Sequence, residues 1–107
     1  MAGVSDTTTI DVVAQDAAGE YMVLMVEERP WDADPAQELQ LRDKINLYAD
    51  FILGGGLAQH YPETLGQPVR VQLDCVQEPV GAIAAVVQLA TEQLQERGVG
   101  FTVNVQD

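Results

Sequence analysis

Val69-Arg70-Val71-Gln72-Leu73-Asp74-Cys75 is the stretch whose reading decides the fold. Val69, Val71, Leu73 and Cys75 alternate with Arg70, Gln72 and Asp74. A period of two places the apolar set on one side of a strand and the polar set on the other, so one face is buried and one faces water. Downstream, Pro79 opens a helix with Ile83, Val86, Val87, Ala90 and Leu94 on one stripe. Gly98, just after Glu96-Arg97, stops it. Val99 to Val105 is another one-sided strand, with Phe101, Val103 and Val105 opposed to Thr102 and Asn104. A strand, a helix and a strand in this order favour a parallel pair with a right-handed crossover.

Upstream, Gly54-Gly55-Gly56 ends a first helix. Asp34 is its expected N-cap, Pro35 its first residue and Glu38 a favourable charge in its first turn. Leu41, Ile45, Tyr48, Ala49 and Ile52 form its apolar stripe. Residues 57–68, around His60-Tyr61-Pro62, are expected to be a loop. Ile10 to Gln15 and Tyr21 to Val26 are expected strands, joined at Asp16-Ala17-Ala18-Gly19 into a hairpin. The order is β-β-α-β-α-β. It predicts an α/β (α+β) two-layer sandwich with a four-stranded mixed sheet and both helices on one face, an order distinct from the ferredoxin-like one. Residues 1–8 are expected to be a flexible N-terminus and 9–107 a single α/β domain. Leu41, Ile45, Ile52, Val71, Leu73, Ile83, Val87, Leu94, Phe101 and Val103 are the expected core.

Composition removes several functions. The chain has 107 residues, 17 acidic and 5 basic, for a formal net charge of −12. Nucleic-acid binding needs a basic footprint to displace condensed counterions, and anionic membrane surfaces need one too. Dispersed bases in so acidic a chain make neither, so no nucleic-acid and no membrane partner is expected, whereas a basic protein partner is electrostatically favoured. Acidity alone also confers solubility. One cysteine and one histidine exclude an intrachain disulfide and a zinc site built from several such ligands. The N-terminus has neither a basic segment nor an apolar run, and with the lone thiol this points to the cytoplasm.

The residues that invite chemistry each have a plainer reading. Gly54-Gly55-Gly56 follows a helix, whose negative dipole end repels phosphate. Cys75 shares the apolar face of its strand, so a His60–Cys75 nucleophile pair is disfavoured. Glu27, Glu28, Asp32 and Asp34 lack the glycine and terminal Glu of a calcium loop. No catalytic residue, metal or cofactor is assigned.

Strand 21–26 is more informative because it is apolar on both sides. Met22, Leu24 and Val26 lie on one, and Tyr21, Val23 and Met25 on the other. Its expected neighbours are polar away from the helices, so one apolar side lacks an obvious cover. Tyr21, Val23 and Met25, with Val13 nearby and Trp31 just beyond, are the expected interface of a homodimer, or of a complex with a protein partner.

The stretch VEERPWD…QLRDKINLYADFIL, preceded by Ile10-Asp11 and followed by YPETLGQPVRVQL, resembles a family of small uncharacterised bacterial α/β proteins. The residues that carry the resemblance are Ile10-Asp11, Trp31-Asp32, Leu41, Lys44, Ile45, Asn46, Tyr48, Phe51, Ile52 and Tyr61-Pro62. It extends over roughly residues 9–105 and implies no activity. Two function classes follow: a non-enzymatic binding or assembly module that self-associates, or a small hydrolase or ligand-binding domain whose cleft would draw on Asp32, Asn46, Tyr48, His60 or Tyr61.

Overall fold

A computed structural model describes residues 3–106. The chain forms β1 (Val12–Gln15), β2 (Tyr21–Glu27), α1 (Gln37–Leu53), a short α2 (Gly56–His60), a 3-10 turn at Pro62–Thr64, β3 (Val69–Cys75), α3 (Gly81–Glu96) and β4 (Gly100–Val105). The strands make one mixed sheet in the order β1-β2-β3-β4. The hairpin pair β1–β2 is antiparallel, and β2–β3 and β3–β4 are parallel. Among the described residues this is an α+β fold with three helices; the order β-β-α-β-α-β expected from the sequence holds, with α2 added between α1 and β3.

Register decides which side of each strand is buried. Val23 lies beside Val71 and Met25 beside Leu73, and Val71 in turn lies beside Phe101. All five are buried in one cluster with Leu41, Ile45 and Tyr48 of α1, Leu57 of α2, and Ile83, Val86, Ala90 and Leu94 of α3. Helices α1 and α3 pack against each other. Each fully buried side chain of this kind contributes about 1.5–3 kcal/mol, so the cluster is the main source of stability. Seven of the ten expected core residues are buried, and Ile52, Val87 and Val103 are half-buried against the cluster. The opposite, outer face carries Val12, Ala14, Met22 and Leu24 from the hairpin, then Arg70, Gln72 and Asp74, then Thr102 and Asn104.

This register reverses the expected interface. Val23 and Met25 are 0% exposed and Trp31 is buried, while Val13 and Tyr21 are half-buried on the same side. These five residues belong to the core face. A strand that is apolar on both sides gives no internal signal for which side turns inward, and the one-sided alternation of β3, transmitted through register, makes that choice.

The chain start also departs from expectation. Val4 is 1% exposed and its N–H donates to Val26 O at 2.8 Å, so the folded unit includes the described part of residues 1–8. Residues 1, 2 and 107 lie outside the described residues. Part of the expected loop 57–68 is helical, since Gly55, with φ of 92°, turns the chain from α1 into α2. At the far end of α3, Val99 N–H reaches Leu94 O and Gly98 N–H reaches Gln95 O, with Gly98 at φ 80°, so the expected glycine stop is a Schellman closure.

Candidate functional site

Lys44 sits on α1 one turn after Leu41 and one turn before Tyr48, on the buried stripe. Its side chain is 0% exposed. An ammonium removed from water must use its three donors, and here all are used: Asp6 O at 2.7 Å, Thr9 O at 2.6 Å and Asp11 Oδ1 at 2.7 Å. The Asp11 carboxylate also accepts Gly3 N–H and Val26 N–H, each at 3.0 Å. Tyr48 Oη accepts Asp11 N–H at 2.9 Å and donates to Leu24 O at 2.6 Å. Burial pushes the Tyr48 phenol well above its usual range. Together these groups fasten the N-terminal segment and the edge of β2 to the middle of α1.

A second cluster closes the far end of β2. Glu27 is 3% exposed. Arg29 donates to it through Nε at 2.8 Å, Nη2 at 2.7 Å and backbone N–H at 3.0 Å. Gln37 adds a longer bond at 3.3 Å. Burial alone would raise the Glu27 carboxyl, but the hydrogen bonds from Arg29 and Gln37 and the charge of Arg29 outweigh it and hold the group below its ordinary value. Gln37 also donates to Pro30 O at 2.9 Å and accepts Asp34 N–H at 3.1 Å, while Asp34 Oδ1 accepts Ala36 N–H at 2.8 Å. Asp34 therefore holds the turn before α1 and is not the helix cap expected from the sequence: the helix begins at Gln37, its N-cap position is Ala36 without a side-chain cap bond, and Asp34 and Pro35 stand outside it. Beside it, Trp31 Nε1 donates to Gln77 O at 2.8 Å, which ties the loop to the chain leaving β3.

The five residues proposed for a cleft are dispersed. Asp32 borders a shallow groove with Trp31, Asp34, Gln37, Val80 and Ile83. Asn46 lines the seam between α1 and α3. His60 and Tyr61 border a third depression beside Ile10 and Val13, where the His60 ring leans on Phe51 at 5.9 Å. Tyr48 is in the core. His60 is exposed while Cys75 is buried at the end of β3, where burial pushes its thiol up. Of the two residues that organise these polar clusters, Lys44 was absent from the sequence-derived site candidates and Glu27 was weighed there only as a metal ligand. Signals for them existed: Lys44 interrupts an apolar helix stripe, and Arg29 is the single base in the first forty residues.

The outer sheet face has two halves. Val12 with Leu24 and Ala14 with Met22 make an apolar strip. On the other half Arg70 bonds Asp16 at 2.9 Å and also reaches Glu20, and Gln72 and Asn104 both donate to Asp74. The Arg70 guanidinium holds the Asp16 carboxyl below its ordinary value. No helix among the described residues is long and apolar enough to cross a membrane.

These features define a small α+β protein whose internal polar groups fasten loops and strand ends to the core. The chain belongs to DUF6572, a family of unknown function, whose match runs over residues 2–107. No curated protein and no solved structure matches it. Of the residues that carried the resemblance to an uncharacterised family, Asp11, Lys44 and Tyr48 meet in a single hydrogen-bonded cluster.

Proposed function

We propose that this protein is a non-enzymatic binding or assembly module that self-associates, built as a two-layer sandwich with α1 and α3 on one face of the sheet. The observation that carries this reading is the commitment of its buried polar side chains to partners within the chain, backbone and side chain alike. Lys44 donates to three oxygens, Glu27 accepts from Arg29 and Gln37, and Tyr48 both accepts and donates within the chain. Groups held this way position loops, and their lone pairs and protons are already engaged. What the molecule offers outward is surface: the outer sheet face and the sheet edges. Association between chains of net charge −12 must overcome repulsion, so its centre is uncharged and it strengthens with salt. Light scattering across micromolar concentrations, at low and moderate salt, tests this. A concentration-dependent dimer is the expected result, and a monomer throughout would overturn the reading.

A further inference from the structure

We infer that the self-association surface is the free edge of β4 together with the adjoining flank of α3, and that its occupant is a second copy of the same chain, paired antiparallel strand to strand. The inference rests on the reading of the protein as a self-associating module. β4 is a terminal strand of the sheet. Gln106 N–H donates inward to Cys75 O at 2.7 Å. Alternation along the strand then turns the N–H and C=O groups of Phe101, Val103 and Val105 outward, away from β3. Natural edges are usually guarded by a lysine, a proline, an inward charge or a bulge. Gly100-Phe101-Thr102-Val103-Asn104-Val105 has no charged residue and no proline, and it pairs with β3 in unbroken register. The opposite edge is different. β1 has only four residues, lies between Asp11 and Asp16, and is followed along β2 by Val4, which bonds Val26 where an added strand would run.

Charge distribution selects the same side. Glu92, Glu96 and Arg97 are the only charged residues from 79 to 106, in a chain with 17 acidic and 5 basic residues. On α3, Ala85, Val86, Leu89, Ala90 and Gln93 face the seam with α1. Helical geometry turns Ala84, Val87, Gln88, Thr91 and Gln95 to the other flank, above β4, with Glu92 and Glu96 off it. Uncharged flank and uncharged edge thus form one strip. Two such acidic molecules meeting there bring no carboxylate of β4 or of this flank together, and Asp74, beside Asn104 on the outer face, is tied up by Gln72 and Asn104. A strand of six residues is too small for a stable dimer, which buries about 1,200–2,000 Å², so the α3 flank supplies the rest, and Val105, 42% exposed at the end of β4, is covered with it.

The test combines light scattering with amide hydrogen exchange on ¹⁵N-labelled full-length protein. In a β4-paired dimer the Phe101, Val103 and Val105 amides exchange slowly, and protection falls on dilution. Thr102→Asp, at an exposed position in mid-strand, should weaken dimerisation at least tenfold. Gln59→Asp, which adds the same charge on exposed α2, should leave it near its original strength. Circular dichroism and Trp31 fluorescence report that both variants fold. A dimer whose outward β4 amides exchange freely, or in which the two variants weaken association equally, overturns this surface and leaves self-association standing. A monomer at every concentration and salt overturns both.

Discussion

Replacing Lys44 by methionine should be among the most damaging conservative changes in this protein. The methylene stem is retained and the volume is similar, so packing against Leu41 and Tyr48 is largely preserved. What disappears is the ammonium, and three oxygens lose a donor together: Asp6 O, Thr9 O and Asp11 Oδ1. The Asp11 carboxylate keeps its two backbone donors, Gly3 and Val26, but loses its counter-charge in a place where Lys44 was 0% exposed. Removing one partner of a buried ion pair costs about 3–5 kcal/mol. Domains of this size have about 5–15 kcal/mol in total. At about 4–8 °C per kcal/mol, the melting temperature should fall by at least ~12 °C. Urea unfolding followed by Trp31 fluorescence measures the loss, and the single tryptophan makes the signal unambiguous. Asp11→Ala and the double variant complete a cycle. Its coupling should exceed about 1 kcal/mol, because each single change leaves the other partner's groups stranded. Lys44→Met costing under ~1 kcal/mol, or the two changes adding without coupling, would refute the reasoning that this cluster fastens the N-terminal segment to α1.

Ile45→Ala, at a site 7% exposed where α1 meets α3, should cost about 2–5 kcal/mol in the same unfolding assay. Val23→Asp puts an unpaired carboxylate where exposure is 0%, so it should lower stability by on the order of 3–5 kcal/mol rather than release monomers from a surface; unfolding and light scattering separate the two. The Glu27 carboxyl lies below its ordinary value of 4.5 when folded, so its contribution is full above that pH and is lost as pH falls through the lower, folded value. Glu27→Gln should therefore be less stable than the parent near neutrality, and the gap should narrow below about pH 4.5 in a pH series of melts. Cys75, 1% exposed with its thiol pushed up by burial, should react with a thiol reagent at pH 8 far more slowly than after unfolding, which a colorimetric time course reads directly.

Much of the architecture was legible in the residues. The alternation at Val69–Cys75 and Phe101–Val105, the helical stripe from Leu41 to Ile52 and the Gly98 stop are local signals. Each rests on the side-chain period of an element or on backbone preferences at its end, and neither depends on a distant neighbour. Three matters could be decided only when distant segments met. Tyr21–Val26 is apolar on both sides, so its orientation came from β3 through register, and Tyr21, Val23 and Met25 turned inward. Val4 belongs to the small, polar start and Asp11 to a short strand in a linear reading, yet Val4 packs on β2 and Asp11 pairs with Lys44 of α1 once the chain folds. Asp32, Asn46 and His60 are separated by the paths of α1 and α2. Sequence determines the period of each element and where it stops. Which face is buried, and which charges meet, depend on pairing across tens of residues, and those energies exist only in the folded chain.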